Sequence, residues 1–444
     1  MPGEVIWEAS FGDASIDTIR AAALQSDGGL VVAGSFEGAL DFGGGALVSG
    51  GAEDVFVAKL DAMGNEAWAH QYGGTGTQEA TGVAVDLNDN VFLYGGFDSP
   101  SIDFGTGPLN AVDESDLFIT KMTAVGQVVL SERIGGVYTE TSHMVVATPS
   151  NDIVVAGAFE TQVDFLGGTV GAGAQIPAAF FAQLSGVNTS HELAKAAIGS
   201  LGAQGANIIR PASLTVDSAG NRAFLLSGIQ NAAAPQSFTM TYDNVAVTWP
   251  VGGGALVPLA LFRTDGAGSY SWHADLGFNT PAGTVSAFPN GDILACGSYT
   301  SGSFGNGINL PAAEGRDVWV LRYSATGSLL WSRRYGSPVT DGASVACAAL
   351  SDGSHLVVAQ SSGDFEIGTG VVTGSTDSTV VARIDDDGEI IWSRRTTGPA
   401  TVVDVVANEE TAAIVLSFDG GGVGFDTSFS SSGATDVFVA LLGL

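Results

Sequence analysis

The chain has 444 residues and a formal net charge of −32, set by 47 Asp and Glu against only 15 Lys and Arg. Apolar residues make up 45%, and Gly, at 63 residues, is about twice its usual ~7% with no Gly-X-Y period and no excess of Pro, which excludes a collagen and a disordered chain. No apolar run reaches ~18 residues, so no membrane-spanning helix is expected; the scarcity of base disfavours nucleic acid and anionic lipid; and two Cys are neither a disulfide framework nor a zinc site.

In chain order, EVIWEASF (residues 4–11) is a β-branched and aromatic run with no companion before it. No apolar leader is visible at MPGEVIWEAS. A complete unit follows over residues 12–72: IRAAALQS, an SDGG turn, LVVAGSFE, the Gly-rich loop GALDFGGGALVSGGAE, DVFVAKLD, a short AMGN turn and EAWAHQYGG. Short runs rich in Val, Ile, Phe and Trp between Gly, Asn and Asp are strand signals, and Asp-Gly and Asn-Gly supply the positive φ of tight hairpins. The same pieces recur over 73–134, 135–198, 199–276, 277–335 and 336–397. Residues 398–444 carry three runs and stop on DVFVALLGL.

Two anchors fix the period. A Gly precedes an aromatic by four residues at Gly3–Trp7, Gly64–Trp68, Gly268–Trp272, Gly327–Trp331 and Gly388–Trp392, with Leu130 standing for the aromatic after Gly126. The preceding strand reads DVFVAKL, DLFITKM, AAFFAQL, LVPLALF, DVWVLRY, STVVARI and DVFVALL in seven successive copies. A period near sixty residues with four strands each predicts an all-β fold: a seven-bladed β-propeller, one domain over 1–444, with four antiparallel strands per blade. EVIWEASF is then the missing fourth strand of the last blade, and its pairing with DVFVALLGL closes the ring and removes two sheet edges. Alternation in DVFVAKL puts Val55, Val57 and Lys59 on one side and Phe56, Ala58 and Leu60 on the other, both packed against neighbouring blades.

Residues 56–97, FVAKLDAMGNEAWAHQYGGTGTQEATGVAVDLNDNVFLYGGF, resemble the SBBP repeats of seven-bladed propellers found in secreted and surface proteins of bacteria, and DFG at Asp41 and Asp103 belongs to the same pattern. The resemblance covers nearly the whole chain. It implies the fold and an extracellular, cell-surface or periplasmic location, and it implies no reaction.

Several features invite a functional reading. Asp17, Glu79, Glu140, Asp341 and Asp404 fall just before the first strand of their units, where a carboxylate ring at the channel mouth could hold a cationic ligand; the plainer reading is that each caps its own turn. An insertion at 230–250 carries Phe238, Tyr242 and Trp249, which are either binding anchors or a flap over the next blade. WSRR, at 331–334 and again at 392–395, is an edge guard or a patch for an acidic partner. Asp385-Asp386-Asp387-Gly388 lacks the alternation and distal Glu of a calcium loop and reads as a hairpin tip. HELAK at His191 lacks the second His of a zinc protease. Cys296 and Cys347 align with alanines inside strands and read as buried free thiols. No cofactor, metal or catalytic set is expected. The sequence reads as a monomeric, non-catalytic recognition or adhesion scaffold for a protein or glycan, with a polysaccharide hydrolase or lyase and a structural spacer of a larger surface protein as alternatives.

Overall fold

The computed structural model of the 444-residue chain describes all residues except 1, 113–114, 137–139, 160–161, 165–168, 172–177, 188–190, 201–207, 230–236, 244, 251–257, 279–281, 301–303, 305–306, 314, 337–340, 369, 375–376 and 433. Every regular element among the described residues is a strand. Blade one is Asp17–Leu24, Leu30–Phe36, Asp54–Leu60 and Glu66–Tyr72, joined antiparallel in that order. Six further sheets repeat the plan, with first strands Gln78–Val85, Glu140–Ala147, Ile208–Val216, Ala282–Ala287, Asp341–Ala349 and Thr401–Ala407. The architecture is a seven-bladed β-propeller.

The seventh blade is closed as the sequence predicts. Val5–Phe11 pairs antiparallel with Asp436–Gly443, from Val5 opposite Leu442 to Phe11 opposite Val437. The Glu8 side chain adds a second tie, its carboxylate accepting the backbone N–H of Phe425 and Thr427 from the loop before that strand.

The hydrophobic core lies between blades, in seven layers. Val55 and Val57 join Leu93 and Phe118 of blade two, whereas Phe56, Ala58 and Leu60 join Val415 and Val439 of blade seven. Each strand therefore serves two cores, and nearly every third-strand residue is buried. A fully buried Val or Leu contributes about 1.5–3 kcal/mol, so these layers are the main cohesion of the ring.

The Gly-to-Trp spacing becomes a ladder around the circumference. A Cβ on Gly64 in blade one would lie 2.8 Å from Trp7 of blade seven, and one on Gly126 in blade two would lie 2.7 Å from Trp68 of blade one. The indole of one blade thus sits under the hairpin of the next, and its Nε1 donates to that hairpin's backbone where Trp68 meets Ala124 O and Trp272 meets Ala325 O, at 3.3 and 3.0 Å. Gly64 also has φ +84, so the position requires glycine twice over.

Blade three departs from the plan. The insertion forms a hairpin, Ser237–Tyr242 and Val245–Pro250, and its first strand pairs with the outer strand His191–Ser200 of the preceding blade, making a six-stranded sheet. HELAK therefore begins an outer strand and no helix.

Candidate functional site

All seven first strands are bulged at the same place. In blade one Ile19 opposes Gly34 and Ala21 opposes Ala33, leaving Arg20 unpaired; Thr81, His143, Ala212 and Val403 are the corresponding extra residues in blades two, three, four and seven. Blades five and six carry longer irregularities that include Thr284 and Ser344. A bulge re-aims a side chain, and Arg20, Thr81, His143, Ala212, Thr284 and Val403 line a central cavity of about 310 Å³, to which blade six contributes Cys347.

Several polar groups on the inner strands stitch one blade to the next. The Ser213 hydroxyl accepts the Val285 N–H at 2.9 Å, the Thr284 hydroxyl accepts Cys347 N–H at 2.7 Å, and the Ser344 hydroxyl accepts Val402 N–H at 2.8 Å. Asp404 continues the series across the ring seam, its Oδ2 accepting Ala22 N–H at 3.2 Å while Oδ1 accepts Val405 N–H at 2.8 Å. Burial pushes the Asp404 carboxyl up to about 6, with those two hydrogen bonds opposing the rise.

The cavity also holds charge. Arg20 is half exposed and its guanidinium stands 3.6 Å from Glu79, an exposed pairing of small energetic weight. His143 is driven down to about 4, first by burial and then by the nearby Arg210, and so is neutral at physiological pH. Arg20, Arg210 and His143 were not singled out in the sequence. Their signal was available: Arg20 and His143 each follow by three residues the acid that opens the first strand.

The five acidic positions do not form one circle. Asp17, Glu140 and Asp341 open their strands and are buried, Glu79 is second in its strand, and Asp404 is fourth. Asp17 accepts the N–H of Asp13 at 2.9 Å and Glu140 that of Gly136 at 3.1 Å, each four residues back, and Gln78 does the same for Gly74 at 2.9 Å. Asp341 accepts Ser362 N–H at 3.3 Å. Asp17 and Glu140 hold the loops entering their blades and Asp341 the turn after its second strand, so the expected ring is corrected to a set of backbone caps, with Asp404 alone among the five lining the cavity and Glu79 paired with the cavity-lining Arg20.

Tyr242 is likewise corrected. It is buried at 2% exposure against Phe181, Phe224 and Phe262, and its hydroxyl donates to Gly268 O at 3.2 Å. Phe238 and Trp249 face each other across the hairpin backbone, and their side chains lie outside the described residues. The WSRR arginines are engaged within the chain: Arg334 binds Asp317 at 2.6 Å, Arg333 covers the Trp331 ring at 4.1 Å, Arg394 donates to Gly3 O at 2.6 Å, and Arg395 donates to Ser361 Oγ at 3.1 Å. Asp385 caps its own hairpin by accepting Asp387 and Glu389 N–H at 3.0 and 2.8 Å, as Asp61 does for Met63 and Asn65. Among the described residues no group of three or more His, Cys, Asp or Glu converges to hold a metal, and Cys296 and Cys347 are free and buried.

No family model matches the chain. A segment is 30% identical over 112 residues to an uncharacterized WD repeat-containing protein of Acanthamoeba polyphaga mimivirus, covering 23% of this chain and 8% of that protein. Among solved structures, Sqt1 from Chaetomium thermophilum aligns over 100% of this chain and 99% of its own at 12% identity and TM-score 0.46. A protein of unknown function from Dyadobacter fermentans covers 86% of this chain and 99% of its own at 11% identity and TM-score 0.41. The β-propeller and its blade count rest on the chain's own sheet topology, and the WD-repeat protein is a distant relative of one segment.

Proposed function

We propose that this protein is a non-catalytic recognition scaffold that engages a protein or glycan at the mouth of its central channel, and that it works outside the cytoplasm. The observation that carries the reading is the division of labour among polar groups at the axis. The hydroxyls of Ser213, Thr284 and Ser344 and the Asp404 carboxylate are engaged with backbone N–H groups, whereas Arg20, which lines the cavity, is half exposed with only the exposed Glu79 as ionic partner, and Arg210 is exposed and acts on the cavity-lining His143. Two guanidiniums on a chain of net charge −32 suit the hydrogen-bonding edge of an acidic peptide or an acidic sugar. The extracytoplasmic location follows from the SBBP resemblance. No helix among the described residues is long and apolar enough to cross a membrane.

The hydrolase or lyase alternative would assign acid–base work to Asp404, the cavity carboxyl raised to about 6. Both of its oxygens accept backbone N–H groups, which favours a structural part. The test is capture of surface polysaccharides and proteins by immobilised protein, with Arg20→Glu and Arg210→Glu beside it. The proposal expects each variant to weaken binding about tenfold or more, or ~1.4 kcal/mol. Turnover of a polysaccharide that disappears in Asp404→Asn would overturn it.

A further inference from the structure

Four blade junctions share one arrangement at the same height. The residue opening the third strand of one blade meets the residue opening the first strand of the next, as Asp54 with Gln78, Asp116 with Glu140, Asp317 with Asp341, and Asp436 with Asp17. Backbone bonds set the contact: Gln78 N–H donates to Glu53 O at 2.9 Å, Asp341 N–H to Arg316 O at 2.7 Å, and Asp17 N–H to Thr435 O at 3.0 Å. All eight of these side chains are buried.

Two carboxylates brought together out of water need a positive charge or a proton. Where both partners are acids inside the ring, an arginine supplies the charge from the outer strand. Arg133 lies 2.8 Å from Asp116 and Arg334 lies 2.6 Å from Asp317. Where the outer strand carries Gln71 at that position, the second partner is the neutral Gln78. The register makes these positions equivalent, because Arg133, Arg334 and Gln71 oppose Phe118, Trp319 and Phe56 in their third strands.

The seam between blades seven and one breaks this rule. Its outer strand is Val5–Phe11, and the equivalent position, opposite Phe438, is Ser10. Both partners are acids. Asp17 and Asp436 converge on Gly12, where an added Cβ would stand 3.0 Å from Asp17 Oδ2 and 2.5 Å from Asp436 Oδ1. The Oδ1 atoms of both are buried with no hydrogen-bond partner. Asp13 and Glu37 are the other charged groups acting on Asp17, and Asp13 also acts on Asp436.

We propose that a proton held by the Asp17–Asp436 pair takes the place of the missing arginine, so that closure of the ring is pH-dependent at the one junction where the two ends of the chain meet. The carboxyl of Asp17 is pushed up to about 7, first by burial and then by its acidic neighbours, and burial raises that of Asp436. The sign follows from linkage. Between the ordinary carboxylate range near 4 and about 7, the folded state holds a proton that the unfolded state has released, so stability falls as pH rises through that window and is level above it. The seam also carries the Asp404–Ala22 bond at the channel, so loosening one end of the junction loosens the wall of the cavity.

The test is thermal unfolding of the full chain from pH 4 to 8.5, comparing wild type with Asp17→Asn and Ser10→Arg. Asparagine removes the second charge, and arginine restores the device found at Arg133 and Arg334. Both variants are expected to match wild type near pH 4 and to exceed its Tm by about 2–4 °C at pH 8. Hydrogen-exchange protection of residues 5–11, relative to 30–36, should rise with them at pH 8. A Tm difference that is the same at pH 4 and pH 8 in both variants would overturn the proposal. So would a wild-type Tm at pH 8 that drops on adding a chelator, since a metal ion would then be the missing charge.

Discussion

The residue that opens each third strand dictates the one that faces it near the end of the fourth. Asp54, Asp116, Asp317 and Asp436 face Gly73, Gly135, Gly336 and Gly12, and a Cβ at any of these glycines would run into the carboxylate opposite. Where the third strand opens on Ala178, Pro258 or Ser378, the facing position is Ile198, Phe278 or Thr397. Acid and glycine change together in every blade. Gly73→Thr should therefore cost more in the wild type than in an Asp54→Ser background, with a coupling of about 1 kcal/mol or more in a denaturant double-mutant cycle. A second residue-scale case is His355, which opens the second strand of blade six where blade one has Leu30. It is fully buried against Trp331 with neither ring nitrogen partnered, and burial drives it down to about 3. A lowered histidine takes up its proton on unfolding between about 6.5 and 3, so it subtracts stability as pH falls through that range. His355→Leu is expected to stabilise the protein, and to do so by a larger margin at pH 4 than at pH 7, as read by urea unfolding. These pairings were hidden in the sequence because facing residues lie up to hundreds of positions apart, whereas the Asp-capped hairpins, which are local, were legible.

At the scale of elements, the strands and their order could be read, and the insertion could not be placed. Periodicity and turn residues mark each strand locally, and the period near sixty residues sets four to a blade. Which blade the hairpin Ser237–Tyr242 and Val245–Pro250 joins depends on a free edge elsewhere, and that edge belongs to blade three. The hairpin covers a stacked aromatic group in which Phe224 and Phe262 lie nearly parallel at 5.7 Å and Tyr242 tilts against both. Tyr242→Ala should cost about 3–5 kcal/mol, and Tyr242→Phe about 1 kcal/mol for the lost bond to Gly268 O, both read from urea midpoints. The ladder of indoles makes a parallel expectation. Gly64→Ala brings a Cβ against Trp7 at a positive φ and should cost about 1–3 kcal/mol, with the loss spread to blade seven as faster exchange in residues 5–11. The inner-strand bulges escaped the sequence reading because one extra residue in a strand of eight leaves the hydrophobic pattern almost unchanged.

For the whole molecule, stability and function meet at the axis. Each blade serves two cores, so no blade is expected to fold alone, and the ring should unfold as one unit. Part of the acidity that the composition shows is structural, since Asp61, Asp86, Asp217, Asp265 and Asp385 cap hairpins and Asp54, Asp116, Asp317 and Asp436 open third strands. Of the five acids the sequence offered as a binding ring, Asp17, Glu140, Asp341 and Asp404 are already committed to backbone N–H groups. The groups left facing the cavity, Arg20 and His143 with Arg210 beside them, are set by bulge geometry. The central claim is closure of the seventh blade by the two ends of the chain, and its most direct test is cysteine trapping in that pairing. Ala9→Cys with Val439→Cys, which oppose each other in the seam, should yield an intramolecular disulfide in a monomer under mild oxidation, while Ala9→Cys with Leu442→Cys should not. Failure of the opposed pair to close, or closure only between molecules, would contradict the account.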